Sequence, residues 1–168
     1  IVMGQPKGIG ILSISGTTSA IGNENLRTEI VSKPALINCS EAFGFELSEV
    51  EKEVGFIFME RLRYMNNKPV FFDISLIPNI NLPRFTSRNM ENKSLFDVLR
   101  KFYRIEIKGG EQKIMAITAN KMLQKHFMVR EGHPVLMLNR KIETNRMNFF
   151  IYSQVYCNTE DHGLYGTF

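Results

Sequence analysis

Two arginines lie two positions apart in a segment, Val54–Tyr64, whose composition is typical of a β-strand. Neighbouring residues of a strand point to opposite faces, so Arg61 and Arg63 share a face with Ile57 and Met59. Arginine is rarely buried without an anionic partner. The spacing therefore predicts an anion beside the two guanidinium groups, supplied either by the protein or by a ligand.

Asp73 and Ser94 are further candidates for the same site. Asp73 falls on the next predicted strand, on a face with Phe71 and Ser75. There it either forms a structural ion pair with the arginines or accepts hydrogens from a ligand. Ser94 precedes a helical pattern and either caps the helix or, with the partial positive charge of the helix start, binds an anion. The residues alone leave both alternatives open.

The sequence offers two weaker candidates, Thr18 and Tyr156. Thr18 lies in a hydroxyl-rich loop of the kind that can close over a ligand. Tyr156 ends the last predicted strand, where a tyrosine is more often a core residue. The histidines are far apart, the cysteines Cys39 and Cys157 lack metal-binding spacing, and no nucleophile or phosphate-loop motif occurs. We therefore predict no catalytic residue, no metal and no cofactor.

The composition indicates one globular domain, with 43% hydrophobic residues in a chain of 168. The net charge of +4 is compatible with nucleic acid or an anionic ligand, or with neither. Two cysteines without a disulfide framework favour a cytoplasmic protein, and no apolar run is long enough to cross a membrane. The Gly/Pro-rich start and the first residue, Ile1, lead us to expect a fragment that follows an upstream domain.

Hydrophobic periodicity and turn residues predict the order of elements. Strands are expected at 9–14, 27–38, 54–64, 69–77, 105–108, 112–117, 135–143 and 148–156, a short helix or turn at 40–47, and helices at 94–103 and 118–128. A helix followed by a hairpin occurs at 40–77 and again at 119–156, and this repeat aligns Arg63 with Lys141. The fold class is therefore α+β, an antiparallel sheet with helices packed on it and two related helix-plus-hairpin halves.

Four segments in this order resemble the UTRA domain, the effector-binding domain of the HutC-type branch of GntR transcription regulators. They are Phe56–Val70, Ser94–Leu99, Glu111–Ala116 and Glu131–Arg140. The resemblance spans 17–168. It identifies 1–16 as a linker from a missing N-terminal winged-helix DNA-binding domain.

The resemblance implies a chorismate-lyase-like fold, a homodimer and a pocket for a small anionic metabolite, often a phosphorylated sugar. DNA would be contacted only through the missing domain, and no membrane is involved. The effector-binding residues implied by the match are Arg61, Arg63, Asp73, Ser94, Tyr156 and Thr18.

The chain departs from the family pattern at Phe150 and Cys157, where glutamate and arginine are common. An apolar residue in place of a hydrogen-bonding one disfavours a polar group at that end of the ligand. The effectors of other family members therefore cannot simply be assigned to this chain. Two other functions stay open. One is a chorismate-lyase-like enzyme with Asp73 as its acid, and the other is a dimerisation module whose arginines pair internally.

Overall fold

A computed structural model describes residues 8–9 and 26–164 of the chain. The strands are β1 (Gly8–Ile9), β2 (Leu26–Ile37), β3 (Glu41–Ala42), β4 (Phe45–Glu46), β5 (Phe56–Met65), β6 (Lys68–Pro78), β7 (Ile107–Thr118), β8 (Pro134–Thr144), β9 (Phe150–Cys157) and β10 (Gly163–Leu164). The helices are α1 (Glu49–Val54), α2 (Leu95–Tyr103) and α3 (Lys121–Phe127). Six strands form one antiparallel sheet in the order β2-β5-β6-β9-β8-β7, while β1 pairs with β10 and β3 with β4.

The predicted repeat is present as two hairpins that meet at the centre of the sheet. The hairpin β5–β6 follows α1 and the hairpin β8–β9 follows α3, and β6 pairs with β9 so that Asp73 lies opposite Val155. The α+β prediction with two related halves is thus confirmed. The alignment of Arg63 with Lys141 is wrong, because Arg63 stands in line with Phe71 and Lys141 with Leu76, five positions apart on β6. Their side chains therefore point to opposite faces.

We call the side of the sheet that carries Ile57, Met59, Arg61 and Arg63 the cavity face, and the other side the opposite face. Helix α2 packs on the cavity face, where Leu95, Val98 and Leu99 join Ile57, Met59 and Ile151 in one apolar cluster. Helices α1 and α3 pack on the opposite face, α3 against Leu62, Phe72 and Tyr156, and α1 through Glu51, which accepts a hydrogen bond from Tyr152.

The segment 40–47 is the hairpin β3–β4, so of the expected helix or turn it contains the turn, at Phe43 and Gly44, and no helix. The helix comes just after it, because Ser48 and Glu51 form a capping box in which each side chain accepts the other residue's backbone N–H. The Ser-x-x-Glu spacing was the sequence signal for this helix.

Strand β7 runs without interruption where two strands and a Gly-Gly turn were predicted. Gly110 has φ of +152°, and a Cβ built there would meet the carbonyl oxygen of Lys141 at 2.4 Å. Gly110 therefore allows close approach to β8, and the Gly-Gly pair does not reverse the chain. Strand β2 likewise continues through Pro34, with register shifts against β5. None of the helices in the described part is both long and apolar enough to cross a membrane.

Candidate functional site

A cavity lies between the cavity face and the start of α2. The space in it that is free of protein atoms is about 440 Å³, a volume that includes open solvent. Four strands and one helix line it. Its lining residues are Arg61, Arg63, Asp73, Ser75, Ser94, Leu95, Phe96, Arg140, Ile142, Ile151, Ser153 and Val155.

The two arginines of β5 share one carboxylate. Arg61 Nε donates to Asp73 Oδ1 at 2.8 Å, and Arg63 Nε lies 3.3 Å from Asp73 Oδ2. All three residues are buried, with exposed fractions of 5% for Arg61, 1% for Arg63 and 3% for Asp73. Arg61 Nη1 is buried and has no hydrogen-bond partner among the described residues. The ion pair expected from the sequence is thus present, and room for an anion remains beside it.

Arg140 of β8 is a third guanidinium in the cavity, and sequence reasoning did not select it. Its Nε donates to Gln112 Oε1 at 3.1 Å. Arg140 is paired with Ser153 of β9, which is paired with Ser75 of β6, so these three side chains form one row across the cavity face. Alternation predicts which residues of a single strand share a face. A row across three strands can be predicted only when the register between those strands is known.

The charges of the lining residues favour an anion. The cavity carries three guanidinium groups and one carboxylate. Burial, and then the charge of Arg61, lower the pKa of Arg63 from its usual 12.5 to about 10, against the opposite effect of Asp73. Burial also lowers the pKa of Arg140. At neutral pH a pKa of about 10 still leaves Arg63 positively charged.

Ser94 brings the start of α2 to the cavity. Its side chain accepts the backbone N–H of Asp97 at 3.3 Å, which confirms the predicted cap. The Asp97 carboxylate accepts a hydrogen bond from Arg100 at 2.6 Å. The N–H groups of the first helical turn have no intrahelical acceptor, and Leu95 and Phe96 line the cavity. Helix α2 therefore presents backbone donors to the same space as the arginines.

The structure does not bring Tyr156 to this cavity. Tyr156 lies on the opposite face, where its hydroxyl donates to Gln154 Oε1 at 2.7 Å and its ring stacks on Phe72. The reason is alternation, since on β9 the cavity face holds Ser153 and Val155. Thr18 lies outside the described residues.

The two departures from the family pattern also lie outside the cavity lining. Phe150 is on the opposite face, with its ring 4.5 Å from the Lys141 ammonium. Cys157 is on the cavity face but is buried in the neighbouring apolar cluster with Phe71 and Val155. Phe150 therefore gives no information about the polarity of a ligand in this cavity, contrary to the expectation from the sequence.

Comparison with known proteins gives a family and a fold. The UTRA domain model matches residues 39–162, well over half of the chain. A comparison with curated protein sequences finds no match.

Solved structures of similar fold include three from transcription regulators. The possible transcriptional regulator YydK from Bacillus subtilis is 14% identical, with a TM-score of 0.73 over 98% of this chain and 69% of that one. The ligand-binding domain of a putative GntR-family transcriptional regulator from Bordetella bronchiseptica is 14% identical, with a TM-score of 0.68 over 86% and 89%. The C-terminal domain of the histidine utilization repressor from Pseudomonas syringae is 15% identical, with a TM-score of 0.69 over 86% and 99%.

At these identities the structures show the fold, and the family follows from the matched domain model. The antiparallel sheet with few helices is that of the chorismate-lyase-like fold. The chain belongs to the UTRA domain family, the effector-binding domains of GntR-family transcription regulators.

Proposed function

We propose that this domain senses a small anionic metabolite, a phosphorylated sugar in the simplest case, and controls DNA binding by an attached winged-helix domain of a HutC-type regulator. The observation that carries the proposal is the buried guanidinium of Arg61, whose Nη1 has no acceptor among the described residues, in the wall of a cavity. A buried donor left unsatisfied costs free energy, and a phosphate oxygen would satisfy it.

The phosphate would lie between the arginines and the start of α2. Guanidinium groups bind phosphate through two parallel N–H donors, and helix N-termini bind it through backbone amides. The hydroxyls of Ser75 and Ser153 would then face the uncharged part of the ligand, beside Ile142 and Ile151. This mixture of a charged end and a polar-to-apolar end suits a phosphorylated sugar better than a simple inorganic anion.

Regulation would follow from a shift between arrangements of a homodimer. A ligand changes such an equilibrium only by the difference between its affinities for the two arrangements. Because the cavity wall contains α2 and strands of both halves, closure of these elements around an anion would alter the shape of the domain. That change would then alter the spacing of the attached DNA-binding domains.

Replacement of Arg61 by methionine tests the proposed site. Arg61→Met removes the charge and keeps most of the side-chain volume, while Asp73 still pairs with Arg63. A panel of sugar phosphates is first screened by thermal shift, since a ligand that binds the folded state raises Tm. For the ligand so found, we expect calorimetry to show affinity lower by about 10- to 100-fold, the equivalent of one charge-assisted hydrogen bond.

Arg100→Met is the matched control, because Arg100 is exposed on α2 and, among the described residues, forms its ion pair with Asp97 one turn away. Its affinity for the ligand should equal that of the parent protein. Equal affinity in Arg61→Met and Arg100→Met would place the ligand elsewhere and remove the proposal.

We further propose that the domain is not an enzyme. Both oxygens of Asp73 are engaged by guanidinium groups, and Asp73 is the one carboxyl group among the described residues of the cavity lining that could serve as the acid of chorismate cleavage. Incubation with chorismate should yield no product, and product formation that is lost in Asp73→Asn would instead establish the enzyme.

A further inference from the structure

The net positive charge of the chain is concentrated in one segment, 84–108, which runs from the loop after β6 through α2 to the start of β7. This segment contains seven Lys and Arg residues and three Asp and Glu residues, a net charge of +4. The net charge of the whole chain is also +4, so the other residues together are neutral. Charge confined to one part of a surface indicates an anionic partner more strongly than the same charge spread evenly over the molecule.

Helix α2 carries part of this charge on the side away from the sheet. Its apolar residues are buried against the sheet, whereas Arg100, Lys101 and Arg104 are exposed. Positive charge near the last turn of a helix also interacts favourably with the helix dipole, by about 0.3–1 kcal/mol per charge. That effect explains basic residues at the end of α2 but not those of the loop before it.

The loop before α2 brings further cations to the end of this helix. The Tyr103 hydroxyl donates to the carbonyl oxygen of Pro83 at 3.0 Å, and its oxygen accepts from Arg88 Nε at 2.8 Å. The guanidinium of Arg88 also lies 3.9 Å from the centre of the Phe102 ring. These contacts hold the exposed Arg84, next to Pro83, near the last turn of α2. We call the following residues the basic surface of α2: Arg84, Arg88, Arg100, Lys101 and Arg104.

Most of this surface is not neutralised by the protein. Arg100 pairs with Asp97 at 2.6 Å. The other four members are not within ion-pair distance of a carboxylate in the part of the chain that the structure describes. Their charge is therefore available to an anion outside the molecule.

The composition of the basic surface fits a nucleic acid better than a protein. Four of its five members are arginines, whose guanidinium groups bind phosphate through two parallel donors. The centre of a protein interface is usually apolar. Among the described residues of 84–108, Phe102 is the one large apolar side chain that is exposed, and Arg88 already lies over its ring.

We propose that the basic surface of α2 binds the phosphate backbone of duplex DNA, in addition to the contacts of an attached winged-helix domain. The inference goes beyond the proposed function because it requires no effector, and it differs from the expectation that only the missing domain contacts DNA. Lys101 and Arg104 are about 4.5 Å apart along the helix axis, and the duplex carries one charge per about 1.7 Å. Both side chains can therefore meet phosphates at once. Phosphate contacts carry no sequence information, so this binding is independent of DNA sequence.

Fluorescence anisotropy with two short labelled duplexes of unrelated sequence tests the proposal. We expect this chain to bind both equally, with a dissociation constant of about 1–100 µM at about 50 mM salt, the range of non-specific DNA binding. The logarithm of the affinity should fall linearly with the logarithm of the salt concentration, because bound phosphates release their counterions.

The double variant Lys101→Gln/Arg104→Asn removes two charges from the basic surface. Asparagine tolerates the left-handed backbone at position 104, where φ is +56°. The loss of two phosphate contacts should reduce the salt slope by about 1.8, and we expect the affinity at about 50 mM salt to fall by about 10-fold or more. Lys121→Gln/Lys125→Gln is the matched control, since it removes two charges from exposed lysines of α3. It should bind DNA like the parent, and circular dichroism checks that both variants fold.

Three results would each overturn the proposal. One is no binding of either duplex by the parent at about 50 mM salt. Another is an equal loss of affinity in the two double variants, which would show that net charge and not this surface attracts DNA. The third is tighter binding of polyglutamate than of DNA in a competition experiment, which would identify an acidic polypeptide as the partner. No effector is present in these measurements, so their failure would leave the proposed effector site unaffected.

Discussion

The two faces of the central strands bury different chemistry to the same depth. On the cavity face Arg63 is 1% exposed beside Arg61 and Asp73, and on the opposite face Phe72 and Tyr152 are both 0% exposed. Alternate residues of the same strands supply both sets. The sheet thus places a buried charge cluster one residue away from an apolar core.

The difference lies in the charges and not in the amount of apolar packing. Burial of apolar surface contributes about 25 cal/mol per Å², and each face has an apolar cluster, the one around α2 and the one around α3. Buried ion pairs gain little net stability because the charges lose their hydration. We conclude that apolar packing on both faces stabilises the central strands, while the charge cluster of the cavity face is suited to binding.

Removal of the shared carboxylate should have the largest effect. In Asp73→Ala the guanidinium groups of Arg61 and Arg63 lose their common partner, and breaking a buried pair costs about 3–5 kcal/mol. Urea unfolding measures this loss. Ser75→Ala, on the same strand and face, is the control and should lose about 1 kcal/mol. Equal losses of stability in Asp73→Ala and Ser75→Ala would mean that the buried arginines do not need the negative charge of Asp73.

Alkaline pH should have a smaller effect, in which Cys157 and Arg63 of the same cavity face act in opposite directions. Burial raises the pKa of Cys157 on the cavity face and of Tyr152 on the opposite face, so above about pH 9 only the unfolded chain ionises them and stability falls as pH rises. Arg63 acts in the other direction, because its folded pKa of about 10 lies below the usual 12.5. Between these values the unfolded chain binds more protons, so stability rises with pH.

The fall between about pH 9 and pH 10 comes mainly from the two cysteines, whose usual pKa is 9.0, because burial raises the pKa of Cys157 and, together with the charge of Glu51, that of Cys39. Urea unfolding of the parent should show about 1 kcal/mol more loss over this range than Cys157→Ala. A parallel fall in both proteins would show that Cys157 does not contribute.

Tyr156→Phe should have the smallest effect. It tests whether Tyr156 contacts the effector, as the family resemblance implies, or lies away from it, as its position on the opposite face of the sheet indicates. The hydroxyl bonds Gln154 on the opposite face, so we expect a loss of stability of about 1 kcal/mol and unchanged ligand affinity by calorimetry. Ser153→Ala, on the cavity face of the same strand, should weaken binding. If ligand affinity fell in Tyr156→Phe and not in Ser153→Ala, Tyr156 would reach the effector by another route.

The sequence predicted those parts of the site that depend on local rules. Alternation placed Arg61 with Arg63 and Asp73 with Ser75, and the helix pattern placed Ser94 at the start of α2. It did not find Arg140, since the position of β8 beside β9 and the register between them are non-local. The Gly-Gly pair in β7 was misread as a turn because close approach to β8 and chain reversal require the same residue type.

Arg61 and Arg63 have almost no contact with water. Dissolved ions screen exposed charges over about 8–10 Å but act much less on buried ones. Effector affinity should therefore change little with ionic strength, whereas protein–DNA affinity falls steeply as salt is added. In a full-length regulator, salt concentration would thus weaken operator binding while leaving metabolite recognition nearly intact, which allows the two activities to be titrated separately in one sample.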